Sequence, residues 1–148
     1  MLKKNLLMSS SYSFVDHTAD IAVDIKADSL EELFIASVQA FKEVVVEPDS
    51  LTSKEKYIIK LDSHSPESLL VNFLNELNYR LTYKNKIVNN IINMKIAQTD
   101  GNWNLVCTLE ESDIDEDKIK TEIKSVTYHQ MEIKEDKGKY STRIVFDI

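Results

Sequence analysis

The stretch from Ser65 to Leu81 constrains the fold most. Leu69, Leu70, Phe73, Leu74, Leu77 and Leu81 recur at spacings of three and four, which gathers them on one side of a helix and leaves the other side polar. Ser65 offers a capping hydroxyl, and Pro66 brings a preset φ to the first helical position. A helix with one apolar stripe is stable only against another apolar face, so the remaining chain must supply one.

Part of that face is a second helix. Ser29 followed by Glu32 reads as a capping box, and Leu30, Leu33, Phe34, Val38 and Phe41 then continue at helical spacing to about Val45. The rest reads as strands. Tyr12 to Ala27 is extended, with Ile21, Val23 and Ile25 alternating against Ala22, Asp24 and Lys26. Lys54 to Asp62 is short, β-branched and charged at its ends, as near a sheet edge. Lys86 to Gln98 and Asn102 to Glu110 flank Asp100-Gly101, a hairpin signal, and Trp103, Leu105, Cys107 and Leu109 alternate in the second. Lys137-Gly138 predicts another hairpin, joining a strand that contains IKSVTYHQMEI to a last strand in which Tyr140, Thr142, Ile144 and Phe146 face one way. The expected class is α+β, with two layers: a mainly antiparallel sheet and two helices covering one of its faces.

With two glycines and two prolines among 148 residues, nothing reads as a linker or repeat. Residues 12–148 are expected to form a single domain after a flexible N-terminal segment, 1–11. Such a length buries about 68–70% of the unfolded surface without a covalent staple. The single cysteine excludes an internal disulfide and a multi-cysteine zinc site, and its place in the alternation points to burial. No secretory core and no apolar run of membrane-spanning length is present, so a cytoplasmic protein away from membranes is expected. A formal net charge of −7 repels phosphate backbones. Direct nucleic-acid binding is therefore not expected, and a basic protein partner suits the charge better.

Candidate chemistry falls at two places. DHTADI, Asp16 to Ile21, sets two carboxylates and an imidazole just before a strand; the same residues also serve as an ordinary polar strand start whose side chains bond to local backbone. At the other end, if Phe146 packs inward, Asp147 points the opposite way beside the terminal carboxylate of Ile148. Should this last strand pair antiparallel with the one after DHTADI, Asp147 and the Ile148 carboxylate would meet Asp20. Three hard oxygen donors would then share one place, and a divalent cation would offset their repulsion. A solvated chain end is the plainer alternative. In IKSVTYHQM, Lys124 and His129 are five residues apart, so a regular strand points them to opposite faces. Neither a Ser-His-Asp signature nor a phosphate-binding loop occurs, and the histidines are scattered.

Taken in order, FVDHTADI, DSLEELF, LLVNFLNEL, IKSVTYHQMEI and a terminal VFDI resemble the archease family from about Tyr12 to Ile148. The resemblance implies an accessory protein, not an enzyme. Its partner would be an RtcB-type RNA ligase, which joins RNA ends in tRNA splicing or RNA repair after accepting a guanylate on its own histidine. Archeases stimulate that guanylylation and support repeated turnover. By the same resemblance the metal position falls on Asp20, Asp147 and the terminal carboxylate of Ile148. Calcium is the expected ion, with magnesium or manganese as alternatives, because the donors are all oxygen. Lys124 matches the family's lysine in a VKAVTYH-like strand and is expected to be needed for activation, while Asp16 and His17 would support the site from behind its ligands. Three positions depart from the family pattern: Ala22 and Asp28 replace glycines, and Asn72 replaces an aspartate. In EESDIDEDKIK, Asp117 stands near where the family has a histidine. Two other classes remain open, an autonomous metal-dependent hydrolase using His17 or His129 as base, and a chaperone-like adaptor.

Overall fold

Capping sets both helices where the spacing predicts them. Ser29 Oγ accepts the Glu32 N–H at 3.1 Å at the start of α1 (Leu30–Val45). Ser65 Oγ accepts the Ser68 N–H at 3.0 Å at the start of α2 (Pro66–Lys84). Each cap satisfies a backbone donor that the first turn would leave open. The Glu32 carboxylate accepts a hydrogen bond from Ser9 Oγ, which ties the start of α1 to the strand region before it. α2 stops at Asn85, whose left-handed backbone (φ 53°) returns its N–H to the Arg80 carbonyl.

The computed structural model of the chain describes residues 4–7, 9–15, 20–47 and 54–148, with backbone pairing alone for residues 4–7. Its strands are β1 (Lys4–Leu7), β2 (Ser10–Val15), β3 (Asp20–Ala27), β4 (Glu55–Ser63), β5 (Lys86–Thr99), β6 (Asn102–Asp113), β7 (Ser125–Thr127), β8 (Lys134–Asp136) and β9 (Lys139–Asp147), with a short 3-10 helix at Glu116–Lys118. All of the strand pairings are antiparallel. The class is α+β, as the alternation implies.

The strands divide into two sheets where the sequence suggested one. The larger runs β1-β2-β3-β9-β7, with β8 also on β9; the smaller runs β4-β6-β5. β4 is an edge strand, as its charged ends indicate. One stretch earlier in the chain differs from expectation. Tyr12 to Ala27 is not one extended stretch but two paired strands, with Val15 opposite Ala22. β1 forms within the segment expected to be flexible and pairs with β2. The IKSVTYHQMEI region also breaks up: β7 keeps only Ser125–Thr127, a turn closes with the Met131 N–H on the Tyr128 carbonyl at 2.9 Å, and β8 follows. Gln130 takes a positive φ of 60° there, which a continuous strand does not permit.

Both dipeptide hairpins form. Asp100 and Gly101 (φ 52° and 80°) join β5 to β6, and Lys137 and Gly138 (φ 53° and 80°) join β8 to β9. Positive φ at both central residues is the turn geometry that matches the twist of paired strands.

One core lies between the sheets and the helices. Phe34 of α1 and Phe73 of α2 stack with ring centroids 6.2 Å apart, and Phe41 meets Phe146 of β9 at 6.5 Å. All four rings are fully buried. At the rim, Glu111 of β6 is buried and accepts from Arg80 of α2 at 2.5 and 2.8 Å, while the guanidinium lies 3.5 Å from the centroid of the Tyr57 ring. That contact ties α2 to both β4 and β6. Among the described residues no helix is long and apolar enough to cross a membrane.

Cys107 faces this core, and burial pushes its thiol up to about 12. The folded chain keeps it protonated, so its share of stability is complete below the ordinary thiol pKa and disappears as pH rises through about 12. The native protein at pH 8 should leave a thiol reagent unconsumed until denaturant is added, and labelling at the same rate with and without denaturant would contradict this burial. Truncating Phe73 to Ala removes the ring that bridges the helices and should cost about 3–5 kcal/mol in urea unfolding.

Candidate functional site

The β3–β9 ladder runs from Asp20 opposite Asp147 to Ala27 opposite Tyr140. Strand alternation divides it into two faces. Ile21, Val23 and Ile25 share the core face with Phe146, Ile144 and Thr142. Asp20, Ala22, Asp24 and Lys26 share the other with Asp147, Val145, Arg143 and Ser141. On this outer face, cross-strand partners meet: Arg143 Nε and an Nη donate to the two Asp24 carboxylate oxygens at 2.7 and 3.0 Å. The hydrogen bond with Asp24 holds the Arg143 guanidinium pKa above its usual value. Asp20 and Asp147 stand four residues further along the same face, and directly opposed residues hold their Cβ atoms about 4.5–5.5 Å apart.

On the far side of β9, Ser125 of β7 stands opposite Asp147. Asp20, Asp147 and Ser125 therefore form one row across three adjacent strands. Lys124 precedes Ser125, and its N–H donates to the Asp147 carbonyl at 2.7 Å. Asp20 and Asp147 are half-buried; Lys124 and Ile148 are exposed. The structure thus sets Asp20 opposite Asp147, with the Lys124 backbone bonded to Asp147 and Ile148 next in the chain. Asp16 and His17 lie outside the described residues.

Two carboxylates opposed on neighbouring strands repel, and oxygen donors so placed suit a hard divalent cation. Among the described residues, no group of three or more His, Cys, Asp and Glu side chains gathers to hold a metal. A site here would need the Ile148 main-chain carboxylate beside the two aspartates. The side chains present fit that donor set.

The other histidines stay apart. His129 is exposed in the turn after β7, its N–H donating to Thr127 Oγ1 at 3.2 Å, so the strand argument that opposed it to Lys124 does not apply. His64 is exposed just before α2. A cleft of about 330 Å³ lies elsewhere, between the second half of α2 and residues 116–123.

The departures from the family pattern have simple structural outcomes. Ala22 and Asp28 are not among the residues with positive φ, so neither place demands a glycine backbone. Ala22 is fully buried, and Asp28 forms an ion pair with Lys139. Asn72 is exposed on α2, and Asp117 is exposed in the 3-10 helix. The sequence reading passed over Ser125, which only the β7–β9 register places beside Asp147. It also passed over Asn75 and Asn78 of α2, which bond the backbone around Lys124. Their signal was visible, since Asn78 interrupts the apolar stripe between Leu74 and Leu81.

The comparisons with known proteins agree on one family. Residues 12–148 match the model of the Archease protein family (MTH1598/TM1083). Protein archease of Pyrococcus furiosus is 33% identical over 136 residues, covering 90% of this chain and 95% of that protein. Protein archease of Methanosarcina mazei is 27% identical over 139 residues, covering 93% and 95%. The solution structure of Methanobacterium thermoautotrophicum protein 1598 superposes with a TM-score of 0.77 at 27% identity, covering 93% of this chain and 98% of that one. A Thermotoga maritima crystal structure, described as an archease and possible chaperone, shares the fold with a TM-score of 0.55 at 22% identity, covering 90% and 94%. With its family pattern spanning residues 12–148 and relatives matched over nearly their full lengths, this chain belongs to the archease family.

Proposed function

We propose that this chain is an accessory activator of an RtcB-type RNA ligase, acting in tRNA splicing or RNA repair through the surface around the strand end where Asp20, Asp147, Ile148 and Lys124 lie. One observation carries the reading: the antiparallel register sets Asp20 opposite Asp147.

In this reading Asp20, Asp147 and the Ile148 carboxylate hold a divalent cation, with calcium the expected ion and magnesium or manganese as alternatives. When bound, the cation offsets the repulsion between the carboxylates and presents positive charge to phosphate oxygens. The aspartates concentrate negative charge that a basic, RNA-handling enzyme meets favourably as the two approach. Lys124, with its charged end exposed, contributes a flexible cation for a carboxylate or phosphate of the partner complex. The covalent chemistry stays with the ligase, and this chain arranges charge around it. Asp16 and His17 remain part of the proposal as supports behind the ligands.

Asp20→Ala should preserve the fold by circular dichroism, weaken calcium binding by more than about tenfold in titration calorimetry, and abolish stimulation of ligase guanylylation. Undiminished stimulation by this variant would refute the role given to the face. Extending the chain by a few residues beyond Ile148 moves the terminal carboxylate away and should weaken both calcium binding and stimulation; an unchanged calcium affinity would remove Ile148 from the site. Ligation assays with the cognate RNA ligase, run with and without this chain, together with an assay of this chain alone, separate an activator from a protein with turnover of its own.

A further inference from the structure

β7 is three residues long and pairs with β9 on one side. In an antiparallel ladder, alternate residues turn both their N–H and C=O away from the partner strand. Val126 is such a residue, and its backbone groups need partners on the side facing α2. Asn75 provides both. Its Oδ1 accepts the Val126 N–H at 2.9 Å, and its Nδ2 donates to the Val126 carbonyl at 3.1 Å. A side-chain amide here makes the pair of bonds that a neighbouring strand would make.

Nearly one helical turn on, Asn78 Nδ2 donates to the Ile123 carbonyl at 2.8 Å. Asn78 is only 7% exposed and lies within the apolar stripe of α2. A buried amide is costly unless it is bonded, and a leucine would fill the same stripe without that cost. What the asparagines secure is the backbone on either side of Lys124. Ile123 is held by Asn78, Val126 by Asn75, and the Lys124 N–H between them by the Asp147 carbonyl. The lysine side chain stays exposed while its main chain is fixed from three directions.

We propose that Asn75 and Asn78 are positioning residues that hold Lys124 in place beside the Asp20–Asp147 pair, an inference that rests on reading this face as the ligase-activating surface. The two amides clamp a segment too short to hold itself. Without them, β7 retains pairing on one edge alone, and the lysine no longer stands at a fixed distance from Asp147.

The test is a double-mutant cycle on the full chain. Amide hydrogen exchange is measured for Asn75→Ala, and stimulation of ligase guanylylation is measured for Asn75→Ala, Lys124→Ala and both together. Exchange at Val126 and Lys124 should quicken by about tenfold or more, while exchange in β5 and β6 stays as it was. Stimulation should fall in Asn75→Ala, and the second substitution should add nothing once Lys124 is gone. An equal fold-loss in both backgrounds would overturn the proposal, because Asn75 would then act by a route other than Lys124. Unchanged exchange at Val126 would also overturn it. Full stimulation by Lys124→Ala alone defeats the surface reading underneath, and this is told apart from failure of the clamp because the exchange measurement needs no ligase. If Asn75→Ala does not fold, Asn75→Asp keeps an acceptor for the Val126 N–H and carries the same comparison.

Discussion

The β3–β9 ladder is the interaction on which the rest of the structure depends. β9 is the last strand in the chain, yet it lies inside the larger sheet, with β3 along one edge and β7 and β8 along the other. Its core-facing residues bring Phe146 against Phe41 of α1, and its outward residues set up the row that includes Asp147. A slip of one residue would exchange those two faces, exposing Phe146 and Ile144 and burying Asp147 and Arg143. The apolar core therefore enforces the register, and the register opposes the two aspartates.

This coupling explains why a charged cluster can persist at a strand end. Two carboxylates on adjacent strands gain nothing from each other, and no local preference would bring them together. The hydrophobic contacts of the same strands, a few ångströms away on the opposite face, far exceed that repulsion. Along the outer face, the Asp24–Arg143 pair shows the favourable version of the same cross-strand geometry. The acidic pair is set by the same register, which the core-facing residues of these two strands enforce.

α2 has two tasks that its sequence combines. Its leucines and Phe73 cover the core, and its asparagines reach the 123–127 backbone. A three-residue strand at a sheet edge would otherwise be poorly defined. The helix acts as its missing neighbour on one side. Stability and site geometry thus come from different residues of one element.

By itself, the sequence determined the helices, the hairpins and the one-sided strands, because capping, turn chemistry and periodicity are local: Ser29, Ser65, Asp100-Gly101 and Lys137-Gly138 act within a few residues of themselves. It also carried the family pattern and pointed to Asp20, Asp147 and Lys124. It misjudged Tyr12–Ala27 as one stretch and IKSVTYHQMEI as one strand, because apolar alternation does not reveal where a strand turns back or leaves its sheet. Only the tertiary structure decided that the strands divide into two sheets, that Asp20 lies opposite Asp147, and that Asn75 and Asn78 bond the backbone around Lys124. These are pairings between residues 45 to more than 100 positions apart, and they are set by burial of the whole core, which no short window of sequence contains.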